Sequence, residues 1–104
     1  MENRWRGEVA LVVNDQHHRM RLTLGALAEL EEELAEPSLM ALVQRFETGG
    51  FNTRDVLALL SAGLRGGGVD MNPDTLAQAE IGGGPMRAAQ AAAELLARAF
   101  MVQP

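Results

Sequence analysis

Apolar and polar positions change their spacing along the chain, and the changes mark out its elements. Residues 8–13 (Glu8-Val9-Ala10-Leu11-Val12-Val13) form an apolar, β-branched run, and residues 19–24 alternate polar with apolar. Together they read as a β-hairpin, with Met20, Leu22 and Leu24 towards a core and Arg19, Arg21 and Thr23 towards solvent. The turn formers Asn14 and Asp15 open the connection, which runs to His18. Two strands alone are marginal in water, so this hairpin needs helices to pack on or another chain's strand to pair with.

From Gly25 the period becomes helical. Leu27, Leu30 and Leu34 share one face of a first helix, five glutamates between Glu29 and Glu36 line the rest, and Pro37 stops it. Ser38 caps a second helix with the stripe Leu39, Leu42, Val43 and Phe46, ended by Gly49-Gly50. Asn52 or Thr53 caps a third, with Asp55 in the first turn where the helix dipole favours a carboxylate. Its stripe is Val56, Leu57, Leu60 and Leu64, and Gly66-Gly67-Gly68 terminates it. Asn72-Pro73-Asp74 starts a short helix. Pro85 starts the longest one, which reaches about Val102. On that last helix Met86, Ala89, Ala93, Leu96 and Phe100 form one face, broadened by Ala92, Leu95, Ala99 and Val102. So wide a stripe is either buried in the core or shared with a partner. The expected architecture is α+β: an N-terminal antiparallel hairpin on a bundle of four to five helices, in one domain spanning residues 1–104.

Composition narrows the function. The chain has 104 residues, no cysteine and a formal net charge of −5, a balance that disfavours nucleic-acid backbones and leaves no thiolate for a disulfide or a zinc site. All nine basic residues are arginine, scattered from Arg4 to Arg98. No apolar run approaches the ~20 residues of a membrane span. The N-terminal segment lacks a signal peptide's apolar stretch, so a cytoplasmic protein is expected.

Candidate chemistry is sparse. His17 and His18 are neighbours, which in a strand point to opposite faces, and no third histidine completes a metal site, so a solvated turn is the expected reading. The glycine triplets lack the lysine of a phosphate loop. Ser38 and Ser61 lack a nucleophile-elbow context. The run Glu31-Glu32-Glu33 fans around its helix as a solvated face. No catalytic residue, cofactor or metal is expected, and the chain reads as a non-enzyme. What is left suits protein binding: Trp5, as a core lid or an interface anchor, and Leu95, Leu96, Ala99, Phe100 and Val102 on the last helix.

The segment Arg21-Leu22-Thr23-Leu24-Gly25-Ala26-Leu27-Ala28-Glu29-Leu30-Glu31 resembles the hairpin-to-helix junction of small proteins encoded in gene transfer agents, the phage-like particles of alphaproteobacteria. These are similar to the tail assembly chaperones of long-tailed phages. The likeness extends to the opening residues 3–8, to the stretch 53–60, to Gly63-Leu64-Arg65-Gly66-Gly67-Gly68 and to the Ala-rich final helix. The resemblance implies a non-catalytic chaperone that coats the tape measure protein, keeps it soluble while the tail tube grows around it, and is then displaced. Tail tube protein is a further implied partner, and self-association is compatible with the hairpin edge. Longer frameshifted forms occur among such chaperones. The sequence ends at Gln103-Pro104, immediately after the last helix, and does not tell whether a longer form is made. The alternative is a structural tail or head–tail connector protein retained in the particle. A small helix-turn-helix DNA-binding regulator, built on the second and third helices, is disfavoured by the acidic balance.

Overall fold

The computed structural model describes residues 7–34 and 38–100. Two strands, β1 (Val9–Val13) and β2 (Gln16–Met20), form an antiparallel hairpin. Five helices follow: α1 (Leu24–Leu34), α2 (Leu39–Thr48), α3 (Thr53–Gly66), α4 (Pro73–Ala77) and α5 (Gly84–Phe100). The α+β architecture read from the sequence is the one observed.

The hairpin is tighter than its sequence suggests. Only Asn14 and Asp15 make the turn, and both have positive φ (50° and 66°), the geometry whose twist matches paired strands. His17 and His18 therefore lie in β2, opposite Val12 and Leu11, rather than in the turn. The second strand ends at Met20, earlier than the alternation implies. Met20 is fully buried and Leu22 packs partly against the core, but Leu24 opens α1 and is 86% exposed, against the expectation that it faces inward. The reason is local: the Thr23 hydroxyl accepts from the Ala26 N–H and its carbonyl from the Leu27 N–H, which caps a helix that has already begun at Leu24.

Helix α3 is the hub. From Val56 to Leu64 nearly every residue is buried, including Ser61 and Gly63, because α1, α4, α5 and the hairpin all pack on it. The fit is close. A Cβ on Gly63 would stand 2.7 Å from Leu95 Cδ1 and 3.1 Å from Met20 Cβ, so only glycine lets the hairpin, α3 and α5 meet there. Beyond it, Gly66 and Gly67 lie against the carbonyl oxygens of Arg21 and Arg19, and the Arg21 N–H donates to the Gly63 carbonyl (2.9 Å). The C-terminal end of α3 thus covers the end of β2.

The outer edge of β1 is covered as well. Gly82 N–H donates to the Val12 carbonyl (2.9 Å), and Asn14 N–H donates to the Glu80 carbonyl (2.8 Å). Two arginines of α5 take the remaining outward carbonyls: Arg87 donates to Ala10 O (2.6 Å) and Arg98 donates to Glu8 O. A strand edge blocked by side-chain donors and a loop offers little to a pairing strand.

Candidate protein-binding surface

Helix α5 divides its apolar residues between two jobs. Ala88, Ala91, Ala92, Leu95 and Leu96 are buried in the core, and Leu95 is fully enclosed against α3 and Met20. On the flank beside them, Pro85, Ala93, Ala97 and Phe100 are exposed and Ala89 is half-buried. Spaced at about four residues, these lie on one side of the helix. The wide stripe is therefore buried along one part and exposed along the other.

This flank borders two apolar depressions. A groove of about 260 Å³ runs between α2 and the C-terminal half of α5, walled by Val43, Phe46, Ala93, Ala97 and Phe100 and floored by Leu96. A cleft of about 450 Å³ lies beside the N-terminal half of α5, with Phe51, Val56, Leu57, Leu60, Leu76 and Ile81 on its walls and Ala88 and Ala89 on the α5 side. Phe46 lines the groove and Phe51 lines the cleft, and their rings stack face to face at 4.5 Å. The two depressions adjoin across that ring pair.

Charge sets this face apart. In a chain of which 22% is charged, the cleft is lined by no ionisable side chain and the groove by one, Glu47 at its rim. The third depression, about 380 Å³ between α1 and α3, is the opposite: Glu29, Glu32, Glu33 and Arg65 line it, and Arg65 pairs with Glu29. Glu32 and Glu33 are exposed, the solvated face expected of them. Among the described residues no cluster of histidine, aspartate or glutamate is placed to hold a metal ion, and no helix is long and apolar enough to cross a membrane.

The residues singled out in the sequence are distributed as follows. Leu96 and Phe100 line the groove, the first 4% exposed and the second 44%. Ala99 is half-buried, and Leu95 lies in the core away from the groove. Trp5 and Val102 lie outside the described residues. Among the methionines, Met40 and Met86 are exposed and Met71 is half-buried, and Met101 lies outside the described residues.

One feature of the site was not read from the sequence. Asp55, 3% exposed, accepts two hydrogen bonds from Arg45, at Oδ1 from Nη2 (2.8 Å) and at Oδ2 from Nε (3.1 Å). Its Oδ2 also accepts from the Asn52 N–H (3.0 Å), while Asn52 Oδ1 accepts from the Asp55 N–H (2.9 Å), a reciprocal capping box at the start of α3. The Asn52–Asp55 spacing is visible in the sequence and announces the box. The arginine, ten residues back across a glycine turn, is not announced by any local pattern. This clasp holds α2, and with it one wall of the groove, to α3.

A family model described as phage tail tube protein, GTA-gp10, matches residues 6–102. No curated protein and no solved structure matches the chain.

Proposed function

Because the chain belongs to the phage tail tube protein, GTA-gp10 family, we propose that it serves tail building as an assembly chaperone of the tape measure protein. The family is one of structural phage-type proteins and not of enzymes, and its members have tail proteins as partners. The observation that carries the finer reading is the apolar track along α5, where Glu47 at the groove rim is the one ionisable side chain lining the two depressions. From Pro85 to Phe100 it runs for roughly 22 Å at 1.5 Å per residue, the length of about four turns of a docked helix. A largely helical tape measure exposes apolar stripes that aggregate unless masked. The small alanines allow a helix backbone to approach closely, and the acidic remainder of the surface keeps a coated complex dispersed. A track of this size gives a modest interface, and repetition along a long partner supplies avidity while each copy stays displaceable.

The family description itself favours a second reading, a tail component that stays in the particle. A wall built by joining sheets edge to edge needs two open edges in each subunit, whereas here β1 is covered by Gly82, Arg87 and Arg98 and the end of β2 by α3. That coverage supports the chaperone. Mass spectrometry of purified particles separates the two: a chaperone is absent from finished particles and present in assembling cells. Recovery of this chain at a fixed ratio to the tail tube subunit would establish the component instead.

A further inference from the structure

Helix α2 is the helix least committed to the rest of the protein. The extensive helix packing joins α3 to α1, α4 and α5, and of the α2 residues only Leu42 is fully buried. Leu39, Val43 and Phe46 lie half-exposed on its stripe. Its C-terminal end turns through Gly49, with φ of 78°, and Gly50, and nothing lies within 4 Å of the position a Gly49 Cβ would take. Its contacts with α3 and the segment leading into it include the Arg45–Asp55 pair and the stacking of Phe46 on Phe51. Beneath it, the groove floor is Leu96.

We propose that α2 occupies the seat of the partner helix: it swings aside about Gly49-Gly50, and an amphipathic helix of the tape measure protein takes its place against α5. This rests on the chaperone reading above and adds what the site recognises and what restrains it. The resident helix is the template for the ligand. Its stripe Leu42-Val43-x-x-Phe46, with Arg45 beside it, specifies a partner helix with apolar residues at the same spacing. A basic residue at the position of Arg45 renews the pair with Asp55. Departure of α2 joins the groove to the ground it vacates and turns a shallow depression into a trough open along α5. The clasp sets how often that happens, because both hydrogen bonds are charge-assisted and must break together. A partner must outcompete a tethered helix, which keeps binding weak per copy and reversible.

Hydrogen exchange of the full chain reads this directly, alone and co-expressed with the tape measure protein. In the free chain the amides of 42–48 exchange about tenfold or more faster than those of 58–64, since local opening lies well below global unfolding. Arg45→Met accelerates α2 by a further tenfold or so and leaves α3 unchanged, and Arg45→Lys, which keeps the charge without the two-point contact, falls between. In the complex, α2 loses protection while 88–97 gain it. A fixed groove wall would gain protection together with α5, and that result overturns the proposal, as does exchange of α2 in step with α3 in the free chain.

A labelled peptide of this chain's own residues 38–50 tests the seat without the tape measure protein. It binds the Arg45→Met chain about tenfold more tightly than the unaltered chain if α2 vacates its seat. Equal binding to both, or to neither, overturns the proposal. If the peptide binds as expected and the tape measure protein forms no complex, the chaperone reading fails while the displaceable helix stands.

Discussion

Replacing Ala97 with glutamate separates the partner surface from the core. Ala97 is exposed on α5 and lines the groove one residue beyond Leu96, which is 4% exposed. Exchanging alanine for glutamate on an exposed helix costs a few tenths of a kcal/mol in propensity. A negative charge near the helix C-terminus adds about 0.3–1 kcal/mol. The sum stays near 1 kcal/mol, so Tm falls by no more than about 8 °C for a chain of this size. Binding responds differently. A carboxylate carried into an apolar interface costs about 2.7 kcal/mol or more, a hundredfold in affinity. Leu96→Glu behaves in another way, because truncating a buried leucine alone costs about 2–5 kcal/mol and the buried carboxylate adds to it. Against a total stability of about 5–15 kcal/mol, that variant loses its fold together with its binding. Circular-dichroism melts alongside affinity capture of the tape measure protein read both quantities. A folded Ala97→Glu chain that binds as well as the unaltered one would refute the assignment of this groove.

Three further outcomes follow from the contacts. Asp55→Ala removes a buried carboxylate, its capping box and the Arg45 clasp together, and urea unfolding should show a loss of about 3–5 kcal/mol. Gly66→Ala drives a methyl into the Arg21 carbonyl, an atom of the backbone that cannot step aside, so a destabilisation of about 1–3 kcal/mol is expected in the same assay. Ser61→Ala strands the Met71 carbonyl, which accepts from Ser61 Oγ at 2.6 Å, and should lower stability by about 1 kcal/mol with no effect on partner binding.

Much of this fold is legible in the sequence where physics is local. The caps Ser38, Asn52 and Asn72, the Pro73 start and the glycine stops define helices because each satisfies or ends backbone hydrogen bonding within a few residues. The hairpin was harder. His17 and His18 carry no apolar signal, so their strand assignment depends on the two-residue turn and on Val12 and Leu11 across from them. Leu24 illustrates the converse: alternation placed it inward, but the Thr23 cap begins α1 there and carries it to the surface. The breadth of the α5 stripe is legible in the sequence as more apolar surface than one neighbouring helix covers. Periodicity alone did not assign Leu95 to the core and Phe100 to the groove, because that depends on where α2 and α3 lie. The Arg45–Asp55 clasp was invisible for the same reason, being a contact across a turn between two helices.

The central claim is that this chain keeps an apolar tail partner in solution. Size-exclusion chromatography with light scattering, on the chain alone and co-expressed with the tape measure protein, tests it most directly. A soluble complex carrying several copies of this chain per tape measure is expected, where the tape measure alone precipitates. A tape measure that precipitates regardless, with this chain running by itself as a closed ring, would contradict it.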